Sequence, residues 1–160
     1  SARNKMLDRA SRTPIEYVVV DDEADAQGVN SYDAEIVSAY VAVTPVELSV
    51  KIYVPGSGLS QVPILGLEDS AGGEAATFAY VSGMGVRNLT DSIVCPVTES
   101  KGVDEQGSYL SLVAPADCLY RSFGRTSFDL AAAVFVFPPG STQYSGYDEV
   151  LVDFVSLYLP

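Results

Sequence analysis

The sequence predicts an all-β sandwich or barrel, and three observations carry that expectation. Short runs of Val, Ile, Leu and Tyr recur about every eight to twelve residues, between clusters of Gly, Pro, Asp and Ser. No stretch has the spacing of a long amphipathic helix, and none is apolar for long enough to make a membrane helix. The chain closes on DEVLVDFVSLYLP, Asp148 to Pro160, in which both alternating sets of side chains are mostly apolar. A half-exposed strand is apolar on one face only, so this one is expected in the centre of a sheet or under another molecule.

Residues 1–13, SARNKMLDRASRT, lack strand alternation and form an expected arm; residues 14–160 form the expected folded domain. Pro14 separates the arm from a first strand, Ile15 to Val20. The acidic run Asp21, Asp22, Glu23, Asp25 follows as a loop ending near Gly28, then a strand from about Asp33 to Val43. Val46 to Val54 alternates best: Val46, Leu48, Val50, Ile52 and Val54 share one face, against Glu47, Ser49, Lys51 and Tyr53. Pro55 to Gly58 is a turn. Val62 to Leu67 carries Pro63, which suits an edge or a bulge. Strands are expected over Ala75–Val81, Ser92–Thr98 and Ser108–Ala114, with an irregular stretch at 82–90 and a polar loop at 99–107. Pro115 to Ser122 suits a short helical turn, and Ser127 to Phe137 pairs antiparallel with the closing strand. Phe154, flanked by Val152 and Val155, is expected in the core against Ala131 to Phe137, where Ala131, Ala132 and Ala133 would let the opposite sheet approach closely.

Charge divides the chain. Of its 9 basic and 21 acidic residues, the first twelve positions hold Arg3, Lys5, Arg9 and Arg12 against Asp8, a net +3. The remainder, five basic against twenty acidic, carries −15. Such a body repels phosphates, so nucleic acid could be met only by the arm.

With no His, the chain lacks the commonest general base and the commonest metal ligand. A metal site would have to be built from oxygen, which favours calcium or magnesium. Asp21, Asp22 and Asp25 are the candidate calcium ligands, although a solvated loop would have the same composition. Asp148, Glu149 and Asp153 make a second acidic group, with Asp153 placed to pair with Arg121 or Arg125. Nothing selects a catalytic pair such as Glu47 and Asp69 from the other acids, and no enzyme is expected. Asn88-Leu89-Thr90 fits the N-glycosylation pattern, but residues 1–14 show no secretory apolar segment. Cys95 and Cys118 form no CxxC; two buried free thiols and a reducing compartment are expected, with a single disulfide, which a domain of this size does not demand, as the alternative.

A basic arm leading into a sandwich that ends on a long apolar strand resembles the coat proteins of small satellite viruses, of the kind that accompanies a prawn nodavirus. The resemblance lies in the layout of the whole chain and in no short motif. It implies a single jelly-roll β-sandwich of roughly eight to nine antiparallel strands. It implies self-assembly into a T=1 icosahedral shell of about 60 identical subunits around a small RNA, made in the infected cytoplasm. It places Arg3, Lys5, Arg9 and Arg12 on that RNA. No cofactor is required, with calcium between subunits as an option, and no membrane is involved. A +3 arm is weak for packaging RNA. A β-sandwich module for carbohydrate or protein, with the ten tyrosines available to it, or a phage decoration or tail protein would share the same strand spacing.

Overall fold

Hairpins dominate the chain path. A computed structural model describes residues 14–21, 24–55, 60–68, 78–81, 85–88, 93–123 and 126–158. In chain order the strands are β1 (Ile15–Val20), β2 (Ser38–Val43), β3 (Glu47–Tyr53), β4 (Ser60–Glu68), β5 (Phe78–Val81), β6 (Gly85–Asn88), β7 (Ile93–Cys95), β8 (Thr98–Asp104), β9 (Gly107–Pro115), β10 (Ser127–Phe137) and β11 (Gly146–Ser156). Two short helices, α1 (Ser31–Ala34) and α2 (Ala116–Phe123), complete the described elements. One sheet has the order β1-β2-β3-β9-β8 and the other β11-β10-β4-β5-β6-β7. The fold is an all-β sandwich, with eleven strands among the described residues where about nine were expected. The chain passes between sheets at three points, after β3, after β7 and through α2, so the sheet-to-sheet alternation of a jelly roll is confined to those crossings.

Alternation decides most of the core. In β3, Leu48, Val50 and Ile52 are buried while Glu47 is exposed and Ser49 and Lys51 are half-buried. In β10, Phe128, Leu130, Ala132, Val134 and Val136 point inward. Ala131 and Ala133 therefore lie on the outer face, so only Ala132 meets the opposite sheet as expected. Pro63 is not in an edge strand: β4 lies between β10 and β5. The proline is tolerated because β5 pairs only with Ile64 to Leu67, leaving β4 a partner on one side at Pro63.

Pro96 and Val97 divide the strand expected over Ser92–Thr98. β7 ends at Cys95 in one sheet, and β8 begins at Thr98 in the other. The expected polar loop 99–107 is the edge strand β8, whose exposed Glu99 and Lys101 discourage further pairing. A two-residue turn links it to β9: Gln106 N donates to Asp104 Oδ1 at 2.8 Å, and Gly107 takes φ +122. On the face of this sheet, the Tyr53 hydroxyl donates to Asp104 Oδ2 at 2.7 Å and Lys51 lies over the Tyr109 ring. Burial and the Asp104 carboxylate push the Tyr53 hydroxyl up to about 12.

The expected free thiols are a disulfide, Cys95–Cys118. β7 and β8 are the outer strands on the same side of the sandwich, and the bond ties the end of β7 to α2 there. The spacing of 23 residues hid the pairing, because only folding brings α2 beside β7.

β11 pairs antiparallel with β10, as expected, but it is the edge of its sheet rather than the centre. Phe154 is 64% exposed and not in the core. The register explains this: Leu130 faces Val152 while Phe128 faces Val155, so β11 holds one extra residue. Phe154 sits in this bulge at φ +55, and its N–H donates to Asp129 Oδ1 at 3.0 Å.

Candidate metal centre

A strap between β1 and β2 lies across the start of β11. Gln27 and Tyr147 exchange backbone hydrogen bonds of 2.8 and 3.0 Å, and Asn30 N donates to Ser145 O at 2.9 Å. Gly28 makes this approach possible: it takes φ +99, and a Cβ there would collide with the Ser145 carbonyl. Ala34 and Ile36 anchor the strap in the core. The strap sets Asp25 and Glu35, together with Asp21 at the end of β1, against Asp148 of β11.

One carboxylate oxygen from each of Asp21, Asp25, Glu35 and Asp148 lies within 4.8 Å of the other three. Calcium–oxygen bonds of about 2.4 Å put opposite ligands roughly 4.8 Å apart, so the four oxygens match one calcium shell in scale. Asp148 occupies an inward position of β11 and is only 4% exposed. Its Oδ2 accepts Ile36 N at 2.8 Å and its Oδ1 accepts Glu149 N at 2.9 Å. Glu35 Oε2 accepts Ala26 N at 3.0 Å, which fixes that carboxylate in turn. Burial pushes the Asp148 carboxyl up to about 6; the two amides oppose the rise, and the charges of Glu35 and Asp25 add to it.

Two of the three expected ligands, Asp21 and Asp25, do come together, and Asp22 lies outside the described residues. Sequence reasoning missed Glu35 and assigned Asp148 to a separate acidic group. Asp148 is the inward-facing acid of an otherwise apolar strand phase, and that phase was the available signal. Asp153 is exposed and makes no ion pair among the described residues; Arg121 instead pairs with Asp117 at 3.2 Å, one helical turn away. Arg125, Asp69, Leu89, Thr90, and the arm residues Arg3, Lys5, Arg9 and Arg12 lie outside the described residues. Glu47 is exposed at the start of β3.

The raised Asp148 pKa has a direct consequence for stability. A carboxyl that holds its proton more tightly when folded favours the fold below the unfolded value of 3.8, and that contribution is lost as pH rises through about 6. In chelator, melting temperature should therefore fall between pH 4 and pH 7 more steeply for the wild type than for Asp148→Asn. Equal slopes would show that burial does not hold the Asp148 carboxyl above its ordinary value.

No protein-family model matches the chain, and neither a curated protein nor a solved structure matches it.

Proposed function

We propose that the chain is a structural coat subunit that self-assembles into a small closed shell around RNA, with Arg3, Lys5, Arg9 and Arg12 supplying the phosphate contacts. The observation that carries this is the apolar side chains exposed around the acidic cluster. Val18 and Val20 on β1, and Val29, Tyr32 and Val37 on the strap, all face solvent in a chain of net charge −12. Exposed apolar side chains on a strongly charged molecule suit burial against another copy. Three of the four acidic residues, Asp21, Asp25 and Glu35, lie within this same stretch, and Asp148 of β11 completes the group. Calcium at Asp21, Asp25, Glu35 and Asp148, completed by groups of a neighbour, would offset the repulsion of packing acidic bodies together.

Negative-stain imaging and light scattering test the assembly. Closed particles are expected from the wild type, and folded 17.0 kDa monomers from the variant Val18→Glu/Val20→Glu. A wild type that stays monomeric with and without calcium overturns the proposal. Particles lacking residues 1–12 should hold less RNA, and unchanged RNA content would remove the arm from packaging. Calcium is tested by melting at pH 7: at a hundredfold excess over the dissociation constant, binding adds about 2.7 kcal/mol. An unmoved melting temperature would leave the cluster without that ion.

A second reading, a sandwich-type binding module, is favoured by one feature. Phe135 packs against Tyr144 and Tyr147 at ring distances of 4.9 and 4.8 Å. Tyr144 and Tyr147 then line an open cleft with Gln27, Gly28, Val29 and Ser145. A stable monomer that binds glycans or peptides there would favour this module over the coat subunit.

A further inference from the structure

On the outer face of β4, β10 and β11, exposed apolar side chains lie among acidic ones. Leu151 is 60% exposed and Phe154 64% exposed on β11, beside the outward Ala131 of β10. The charged residues of β4, β10 and β11 on this face are Glu68, Asp129, Glu149 and Asp153, and these three strands contain no Lys or Arg.

The neighbouring edge of β11 is occupied at its two ends. The strap pairs with it at Ser145 and Tyr147, and the bulge at Phe154 bends it away. Beyond the bulge, Ser156 N donates to the Tyr17 hydroxyl at 3.0 Å. The exposed apolar side chains Leu151 and Phe154 lie on the side-chain face.

A second copy of the same face would set four carboxylates against four. A nucleic acid or an anionic membrane would be repelled in the same way. The complementary occupant has apolar side chains among positive charges, and residues 1–13 have that composition. They hold Met6 and Leu7 among Arg3, Lys5, Arg9 and Arg12.

Position agrees with charge. β1 and β11 are the edges of their two sheets and lie side by side: Tyr17 meets Ser156, while Asp21 meets Asp148. β1 therefore runs opposite to β11, and its first residue, Ile15, lies at the Phe154 end of the face. Thirteen residues in extended form reach about 40 Å, enough to follow all of β11.

We infer that residues 1–13 of this chain dock on the outer face of β10 and β11. Met6 and Leu7 cover Leu151 and Phe154, and the basic side chains meet Glu68, Asp129, Glu149 and Asp153. This goes beyond the coat reading and does not depend on it: it states where the arm rests when no RNA is present. In a shell, RNA phosphates would compete with these carboxylates for the same four basic groups, so the arm would be released by its ligand.

The arm's basic residues are also trypsin sites, so limited proteolysis of the RNA-free full chain tests the docking. The variant Leu151→Thr/Phe154→Asn keeps a strand-compatible residue in β11 and places Asn at the positive φ, which it tolerates. Cleavage after Arg9 and Arg12, followed by mass spectrometry, should be about tenfold faster in the variant, with an unchanged melting temperature. In 1 M salt the wild type should approach the variant's rate, because screening shortens to about 3 Å; a free peptide of residues 1–13 controls for salt effects on the protease. Equal rates in wild type and variant overturn the inference. Protection that grows with protein concentration overturns it too, since the arm would then lie on a second copy. RNA content of particles is a separate measurement, so docking and packaging can fail independently.

Discussion

Phe128→Ala is expected to cost about 3–5 kcal/mol, the range for removing a buried aromatic ring. Phe128 is 1% exposed, on the inward face of β10, the strand held between β4 and β11. Its ring is the largest fully buried side chain among the described residues. A loss of that size is a large share of the stability of an ordinary domain, so the variant should be found largely in inclusion bodies or melt at much lower temperature. Phe154→Ala provides the internal comparison. Phe154 is exposed and held at a positive φ that costs a bulky residue about 1 kcal/mol, so its truncation should leave stability within roughly 1 kcal/mol of the wild type. Chemical denaturation of both proteins checks the pair. Comparable losses would place Phe154 in the core and contradict the bulge.

The two phenylalanines show how far alternation can be read from a sequence. β3 and β10 are regular, and counting by twos assigns their buried residues. In β11 the same count works from Gly146 to Val152 and then fails, because one extra residue shifts the phase. Nothing in VDFVS marks the bulge; it depends on Asp129 of the neighbouring strand, whose carboxylate receives the Phe154 N–H. The edge position of β11 was hidden for a related reason. Its outward apolar residues suggested a central strand, whereas they mark an uncovered face. β8 was missed because an exposed edge strand needs no apolar phase at all. Half of the acidic cluster was legible, since Asp21 and Asp25 are close in sequence. Glu35 and Asp148 join them through the pairing of Gln27 with Tyr147, a long-range contact that no local pattern encodes.

Reduction of the Cys95–Cys118 bond is expected to cost about 3 kcal/mol. Its 23-residue separation sets the loop closed in the unfolded chain, and restricting a loop of that size removes roughly that much conformational entropy. The folded state gives the bond a second role. The outer strands β7 and β8 belong to different sheets, and the chain passes between them through Pro96 and Val97 alone. α2 covers this side, with Ala116 and Leu119 buried beneath it, and Ala116 N donates to Val46 O at 2.9 Å. Without the bond, α2 keeps its packing through Ala116, Leu119 and Tyr120 and its exposed Asp117–Arg121 pair, which contributes little. The loss should therefore appear first as local opening of α2 and β7, and second as a global fall in melting temperature. For a domain of this length the fall should be on the order of 10 °C. Thermal melts with and without reductant measure the global change, and hydrogen exchange over residues 93–123 measures the local one. The variant Cys95→Ala/Cys118→Ala should reproduce both and be insensitive to reductant. A melting temperature unmoved by reductant, with both thiols freely alkylated in the native protein, would return the cysteines to the unpaired state that their sequence spacing suggested.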